Sequence, residues 1–278
     1  MQHVELGPFL RWAGGKSWII PHINKLVPSC YNRYYEPFLG GGAVFFALAP
    51  QNAMISDVNE ELIHLYLTMR DHPAELREKM KDHNESHNKD YYYYIRSCSP
   101  TDPVEKAART LYLNRTCYNG LYRVNKKGEF NVPIGTKNEC LKDLDIFELY
   151  AEILSNASIS CGDFEQTVRL AENEDLIFAD PPYATQENTS NFTKYTNNLF
   201  SWKDQERLCQ SLCDARDKGA VVIATNCACT AIEELYAEKH FFCSFTTRAS
   251  CISGCKKRGR VTELLITSFP QEEKENWR

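Results

Sequence analysis

The sequence lacks an apolar run of the roughly 20 residues that a membrane-spanning helix needs. Between Met1 and Leu10 it also lacks the basic segment and long apolar stretch of a secretory signal. These two absences predict a cytoplasmic protein that has no membrane as a partner. With 43% hydrophobic and 25% charged residues, the composition is ordinary for a globular enzyme and excludes intrinsic disorder.

The chain has no Cys-x-x-Cys pair, although it contains 12 cysteines. Its tightest pairs are Cys227 with Cys229, Cys209 with Cys213, and Cys251 with Cys255. Disulfide frameworks are typical of short secreted chains, and a closed zinc site needs a ligand spacing that is missing here. We therefore expect no metal, and we expect most thiols to pack as small buried hydrophobic groups.

Basic residues are outnumbered, since 32 of them face 37 acidic ones and the formal net charge is −5. The segment from Pro103 to Lys137 nevertheless carries seven basic and only two acidic side chains. A second basic cluster consists of Lys256, Lys257, Arg258 and Arg260. Charge alone leaves two interpretations open: the clusters bind a polyanion, or they are two solvated surfaces.

Seven apolar runs predict strands, two of which, at 176–180 and 220–225, are continuous enough to be buried on both faces. The other five lie at 34–36, 53–57, 157–161, 241–247 and 261–269. Helical periodicity falls between the strands, at 17–26, 43–49, 60–70, 141–154, 202–218 and 230–239. Such alternation is typical of an α/β protein with a mostly parallel sheet and helices on both faces.

Residues 60–140 interrupt this alternation, because they contain little strand pattern. Helical patterns are followed there by a hairpin whose turn is Asn125 to Gly128. We interpret this stretch as a helical domain with a β-hairpin, inserted into an α/β domain formed by 1–59 and 141–278. The inserted domain holds the longer basic segment.

Asp180-Pro181-Pro182-Tyr183 directly follows a predicted buried strand, at the edge where open α/β sheets bind ligands. Proline has no N–H, so carbonyl acceptors are left beside the Asp180 carboxylate. Asp180 and the Pro181 carbonyl suit the two hydrogens of an exocyclic amine, and they favour the tetrahedral nitrogen that forms as it attacks. Tyr183 offers a flat face on which a planar base can stack. The alternative is a proline-rich loop with an incidental carboxylate.

A glycine-rich loop from Phe38 to Gly42 joins a predicted strand to a predicted helix. Glycine allows a ligand to approach the backbone closely, although the loop could also be a mere tight turn. Asp57 ends the following strand, about 20 residues downstream, where an acidic side chain suits a ribose diol. Asp163 and Phe164 follow a further strand and could hold an adenine ring; alternatively, Asp163 could be a helix N-cap.

The segment from Arg11 to Ser17 contains Gly-Lys-Ser, but position 10 is Leu where a P-loop requires glycine. We therefore exclude nucleoside triphosphate hydrolysis. Trp12 and Lys16 lie at the entry to a helix and could bind a carboxylate. The alternative is an anchoring tryptophan and a solvated lysine.

In chain order, five segments together resemble the Dam-type class of DNA adenine-N6 methyltransferases, the D12 family. They are FLRWAGGK, PFLGGGAVFF, ISDVN, YLNRTCYNGLYRVNKKGEFNVPIG and FADPPY. The resemblance extends from Phe9 to Ile266, and the fourth segment is the most specific. It implies a bacterial or phage-encoded enzyme with a Rossmann-like S-adenosylmethionine-dependent methyltransferase fold, in which 60–140 is the target-recognition domain.

The resemblance also implies direct methyl transfer from S-adenosylmethionine to adenine N6 in double-stranded DNA, usually within GATC. Neither a metal, a covalent enzyme intermediate nor an obligate protein partner is implied. The implied cofactor-binding residues are Trp12, Lys16, Phe38, Gly40, Gly42, Asp57, Asp163, Phe164 and Asp180. The implied catalytic residues are Asp180, Pro181 and Tyr183.

The DNA-binding residues implied by the resemblance are Arg11, Tyr118, Asn119, Leu121, Arg123, Lys126, Lys127 and Pro133. Arginine can bond bidentately to guanine, and a Tyr or Leu wedge can fill the gap left by an extruded base. Residues 256–260 would contact phosphates, and 250–255 correspond loosely to the family's phosphate-binding loop. Two alternatives remain: a methyltransferase for RNA or a protein glutamine amide, and a non-enzymatic DNA-binding protein with a vestigial cofactor pocket.

Overall fold

A computed structural model describes residues 6–137, 140, 144, 146–183, 200–249 and 260–271, without the side chains of 248, 249, 260 and 261. The strands are β1 (Tyr34–Glu36), β2 (Ala53–Asp57), β3 (Ala157–Cys161), β4 (Leu176–Ala179), β5 (Val221–Cys227), β6 (Phe242–Ala249) and β7 (Arg260–Thr267). The helices are α1 (Ile20–Leu26), α2 (Ala43–Leu48), α3 (Glu60–Asp71), α4 (Pro73–Ser86), α5 (Lys89–Ser97), α6 (Pro103–Thr116), α7 (Phe147–Ser155), α8 (Phe164–Val168), α9 (Trp202–Asp217) and α10 (Thr230–Ala237).

The chain divides into two compact units, Met1–Ile20 with Leu39–Gly162, and Pro21–Phe38 with Asp163–Arg278. In the first unit, β2 and β3 are parallel and paired along their whole length. Helix α3 starts three residues after β2, because the Asn59 side chain caps it by accepting the N–H of Leu62 at 3.1 Å. The cap fixes where the chain turns after β2 and so helps to place Asp57 at the end of that strand.

The stretch predicted as an inserted domain lies within the first unit. It contains α3 to α6, and two isolated antiparallel β-bridges, between Val124 and Phe130 and between Cys117 and Ile134, mark the hairpin. Asp102 caps α6 by accepting the N–H of Glu105 at 2.9 Å, and Pro103 occupies the first turn, where its missing N–H costs nothing. That this stretch is a separate recognition domain stays a prediction.

The second unit contains a mixed sheet with the strand order β1-β4-β5-β7-β6. Strands β1, β4 and β5 are parallel, whereas β7 is antiparallel to both β5 and β6. All four residues of β4 are buried, as its continuous apolar sequence predicted. The mostly parallel α/β architecture is confirmed.

Element boundaries follow the apolar patterns closely. Strands β1, β2 and β3 match their predicted ranges, while β5 runs on to Cys227. Helix α5 was not predicted because four consecutive tyrosines hide its periodicity: Tyr92 is fully buried, whereas Tyr94 is 63% exposed. Helix α8 is too short to show a period. Part of the predicted helix at 141–154 lies outside the described residues.

None of the helices in the described ranges has the length and apolarity to cross a membrane. The ten cysteines in these ranges form no disulfide. Cys117, Cys140, Cys209 and Cys213 are buried, whereas the other six are half-buried or exposed. The expectation that most thiols pack as small buried groups is therefore wrong for the described residues.

Candidate active site

The glycine-rich loop of the first unit is tied to the end of β2. Asp57 accepts the N–H of Gly40 at Oδ2 and that of Asn59 at Oδ1, each at 2.9 Å. Burial raises the pKa of Asp57, and these backbone donors oppose the rise by stabilising the carboxylate. Because each carboxylate oxygen has two acceptor sites, Asp57 retains capacity for a ligand hydroxyl.

Gly40 has a φ of 48° and lies directly against Trp12. A Cβ at this position would be 2.8 Å from Trp12 Cδ1, closer than side chains pack. Tyr66 donates its hydroxyl to the Gly40 carbonyl at 3.0 Å. The loop therefore requires glycine both for its left-handed backbone and for the close approach of the indole.

Trp12 also stacks on Tyr122, with ring centroids 5.4 Å apart and an angle of 27° between the planes. Tyr122 donates its hydroxyl to Glu61 at 2.8 Å. Lys16 is 5% exposed, and its Nζ donates to the Gly14 carbonyl at 3.1 Å, so the alternative of a solvated lysine is wrong.

Three phenylalanine rings form a cluster in the second unit. Phe38 and Phe164 stack with centroids 5.3 Å apart, and Phe200 lies 5.7 Å from the first ring and 5.9 Å from the second. Phe164 and Phe200 are buried, whereas Phe38 is partly exposed. The structure thus brings together two rings that different motifs had assigned to cofactor binding.

Asp163 is the N-cap of α8, since its Oδ1 accepts the N–H of Glu165 at 3.0 Å. The same oxygen accepts from Arg207 Nη2 at 3.0 Å, and the Arg207 guanidinium lies 5.0 Å from the centre of the Phe164 ring. The N-cap alternative is therefore correct. It is compatible with ligand binding, because a carboxylate accepts several hydrogen bonds.

The Asp-Pro-Pro-Tyr loop begins where β4 ends. Ala179 is in register with Ala224 of the parallel strand β5, which places Thr225 beside Asp180. Thr225 donates its hydroxyl to Asp180 Oδ1 at 2.7 Å and so orients the carboxylate. Pro181 is buried and Asp180 is half-buried.

Tyr183, at the end of the same loop, is held at its hydroxyl. It donates to Glu263 Oε2 at 2.7 Å. Burial, followed by the nearby Asp180 and Glu263 carboxylates, raises the pKa of Tyr183 far above its ordinary value. The hydroxyl therefore remains a protonated donor at neutral pH.

Several predicted DNA-binding residues meet at one turn of the first unit. The N–H of Tyr118 donates to the Pro133 carbonyl at 2.9 Å, and Asn119 has a positive φ of 56°. Tyr118, Asn119 and Pro133 are exposed. A tyrosine, an asparagine and a proline are thus presented together on the surface.

Arg11 contacts the same turn. A Cβ at Gly120 would lie 2.5 Å from Arg11 Cβ. The buried side chain of Asn114 holds the Arg11 backbone at two points, accepting its N–H at 2.9 Å and donating to its carbonyl at 2.7 Å. The structure therefore joins two motifs that are about 100 residues apart in the sequence.

The hairpin presents its cations in two ways. Lys126 and Lys127 are exposed at its tip. Arg123 is exposed but restrained: it donates from Nε to Asn131 Oδ1 at 2.7 Å and from Nη2 to the Asn131 carbonyl at 3.3 Å. A guanidinium has five N–H donors, so this contact leaves others available to a base edge. Leu121, which precedes these residues, is half-buried.

Sequence reasoning missed the residues that hold the predicted ones in place: Asn114, Tyr122, Asn131, Thr225 and Glu263. Only Glu263 left a signal, as an acidic residue inside an apolar strand. The predicted phosphate contacts at 250–258, and the side chain of Arg260, lie outside the described residues.

Residues 12–248 match the model of the D12 class N6 adenine-specific DNA methyltransferases. The chain belongs to this family. It is 42% identical over 277 residues to the Type II methyltransferase M1.LlaDCHI of Lactococcus lactis subsp. cremoris, with 96% of each chain covered. It is 35% identical over 289 residues to the Type II methyltransferase M.MjaIII of Methanocaldococcus jannaschii, covering 96% of this chain and all of the relative. It is 33% identical over 264 residues to the DNA adenine methylase of Haemophilus influenzae, covering 93% and 92%.

Family membership confirms the resemblance and the α/β methyltransferase fold. The protein is an adenine-N6 DNA methyltransferase, and its substrate is DNA. This result decides against the RNA and protein substrates considered above, and against a non-enzymatic DNA-binding protein.

Proposed function

We propose that this enzyme methylates adenine in double-stranded DNA at GATC, with S-adenosylmethionine as the methyl donor. The Tyr118–Ile134 segment supports the duplex and the GATC target through its resemblance to the Dam-type recognition hairpin. The name DNA adenine methylase among the relatives is consistent with this assignment. Bacterial and phage DNA is methylated in the cytoplasm, where we expect the enzyme to act.

The residues present fit S-adenosylmethionine, which supplies a methyl group activated by a positively charged sulfur. In the first unit, Asp57 suits the ribose hydroxyls because its oxygens retain acceptor sites. Lys16 suits a carboxylate, and the side-chain-free surfaces of Gly40 and Gly42 allow close approach to the backbone. A Cβ at Gly42 would lie 3.0 Å from the Tyr66 hydroxyl, so no larger residue fits there without a shift.

In the second unit, the ring of Phe164 offers apolar surface to an adenine, and Asp163 offers an acceptor for its amine. Phe38, whose ring stacks on Phe164, is assigned by the resemblance to the methionine portion. Asp180 completes the proposed cofactor set. The resemblance assigns Trp12 of the first unit to the cofactor as well.

The observation that carries the proposal is the Asp180 carboxylate, oriented by Thr225 at 2.7 Å and followed by the buried Pro181. We propose that Asp180 and the Pro181 carbonyl each accept one hydrogen of the adenine amine. These bonds favour the tetrahedral nitrogen, so they are stronger in the transition state than in the ground state. Tyr183 provides the face on which the extruded base stacks.

We propose that the exposed turn and hairpin of the first unit read the target. Arg123 contacts a guanine edge, while Lys126 and Lys127 contact phosphates. Arg11, Tyr118, Asn119, Leu121 and Pro133 complete the set by contacting bases or filling the space of the extruded one.

The recognition sequence is tested by incubating the enzyme with S-adenosylmethionine and plasmid, then digesting with nucleases that differ in their response to methylated GATC. We expect resistance to the nuclease that methylation blocks, and cleavage by the one that requires it. Methylation of adenine at another sequence would refute the GATC assignment but not the adenine methyltransferase activity. Arg123→Ala should weaken discrimination at one guanine by about 1–3 kcal/mol.

The catalytic assignment is tested by transfer of a tritiated methyl group. Asp180→Ala should lower the rate by at least about 100-fold, as loss of one transition-state hydrogen-bonding group does. Asp214→Ala, which removes an exposed carboxylate of the same unit, should leave the rate unchanged. Robust turnover by folded Asp180→Ala would exclude this mechanism.

A further inference from the structure

Strand β7 carries a carboxylate into the core of the second unit. Glu263 is 1% exposed, and Leu264 and Leu265, which follow it, are buried as well. Glutamate is almost never buried to this degree without a partner. Here Oε2 accepts the Tyr183 hydroxyl at 2.7 Å.

Glu263 is held in place from both sides. It is in register with Cys227 of β5 and with Thr246 of β6, so its backbone belongs to the interior of the sheet. A side chain on a strand with two neighbours is positioned more rigidly than one on a loop. Glu263 therefore offers a fixed acceptor.

Tyr183 lies on a loop, and its ring orientation depends on two side-chain torsions. The hydroxyl oxygen lies on the axis of the second torsion, so holding it fixes the direction of the ring axis. Because conjugation keeps the phenolic O–H in the plane of the ring, an acceptor in a fixed position also restrains rotation about that axis. Stacking depends on the plane of the ring. The group that fixes the hydroxyl thus also fixes the face that the ring presents to a planar base.

We propose that Glu263 is a positioning residue, which holds Tyr183 in the orientation on which the extruded adenine stacks. This inference rests on the proposed function, in which Tyr183 contacts that base. Thr225 of β5 restrains Asp180, and Glu263 of the adjacent strand β7 restrains Tyr183, so neighbouring strands anchor both side chains of one loop. Stability is a weaker explanation, since an apolar residue in place of a buried charged one is often equally stabilising.

Three variants separate positioning from packing. Glu263→Met removes the acceptor and keeps the volume, Glu263→Gln keeps an acceptor oxygen, and Tyr183→Phe keeps the ring without its donor. We expect Glu263→Met and Tyr183→Phe each to lower kcat by about 10- to 100-fold, the range that a displaced reacting group costs. Glu263→Gln should retain most of the activity. The double variant Tyr183→Phe/Glu263→Met should be no slower than Tyr183→Phe, because the interaction is already lost.

A second readout follows the base directly. In duplexes with 2-aminopurine at the target adenine, stacking on Tyr183 quenches the fluorescence of the extruded base. Glu263→Met should give brighter complexes at an unchanged Kd for DNA and an unchanged KM for S-adenosylmethionine. Glu206→Met is the matched control: its carboxylate accepts Trp202 Nε1 at 2.8 Å at the surface, and its loss should change neither kcat nor fluorescence.

Full activity of Glu263→Met, or a further loss when it is added to Tyr183→Phe, would overturn the inference. If Glu263→Met does not fold, as judged by circular dichroism, full activity of Tyr183→Phe would overturn it instead. Absence of adenine methylation by the wild-type enzyme under the same conditions would refute the proposed function rather than the role of Glu263.

Discussion

Gly40→Ala perturbs the contact between the glycine loop and Trp12. The added Cβ would lie 2.8 Å from Trp12 Cδ1 and 3.3 Å from Nε1, so the indole must move. An L-residue in the left-handed region costs about 1–2 kcal/mol. Displacing the indole also weakens its stack on Tyr122, an aromatic contact worth about 0.5–1.5 kcal/mol. We expect a total loss of about 1.5–3.5 kcal/mol in the free energy of unfolding.

Gly128→Ala is the matched control. Gly128 has a φ of 79°, and an added Cβ there would have no atom within 4 Å. This variant incurs only the backbone strain, so its free energy of unfolding should fall by only about 1–2 kcal/mol. The difference between the two variants isolates the contact with Trp12.

Urea unfolding, followed by circular dichroism at 25 °C, measures both losses. Calorimetry with S-adenosylmethionine then measures the proposed binding role of the loop. Gly40→Ala should raise the Kd at least about tenfold, equivalent to about 1.4 kcal/mol, while Gly128→Ala should leave it unchanged. Equal stability losses and equal Kd values in the two variants would refute this account of the loop.

Two further predictions concern other contacts of the first unit. Tyr122→Phe keeps the stack on Trp12 but removes the hydrogen bond to the Glu61 carboxylate, so its free energy of unfolding should fall by about 1.5–3 kcal/mol. Tyr122→Ala also removes the stack and should lose more in urea unfolding. Equal losses in the two variants would contradict a stabilising stack. Burial lowers the pKa of His83 from 6.5 to about 4, so below pH 6.5 the unfolded chain binds a proton that the folded protein does not. The free energy of unfolding is therefore highest above pH 6.5 and decreases as the pH falls towards 4. Between pH 7 and pH 5 the wild type should therefore lose about 2 kcal/mol more than His83→Gln, and parallel losses would count against a buried neutral imidazole.

The parts of the fold that the sequence predicted are those whose signal is local. Strand β4 is apolar at every position and buried at every position, so its pattern and its environment agree. The insertion of β7 between β5 and β6 has no such signal, because alternation specifies which side chains face inward but not which strand is the partner. Helix α5 was missed for the opposite reason, since its tyrosines occupy both buried and exposed faces.

The candidate site likewise contains residues with a local sequence signal and residues without one. Asp57 was found because it ends a recognisable strand, and Asp180 and Tyr183 were found because their motif directly follows one. Their partners were not, because a threonine in β5 or a tyrosine in the hairpin looks ordinary until the fold places it beside a distant residue. Thr225 and Asp180 are separated by 45 positions, and Tyr122 and Glu61 by 61.

The contacts of two carboxylates also distinguish their proposed roles. Among the described residues, Asp57 is held by the backbone N–H groups of Gly40 and Asn59, which orient it without cancelling its charge. Asp163 is held by the Arg207 guanidinium as well as by the N–H that it caps. A carboxylate restrained by neutral donors keeps its full negative charge for a ligand, whereas the charge of one paired with arginine is partly neutralised by the guanidinium. Asp57 is therefore the better supported of the two as a ligand-binding group, whereas Asp163 also starts α8 and holds Arg207 over Phe164.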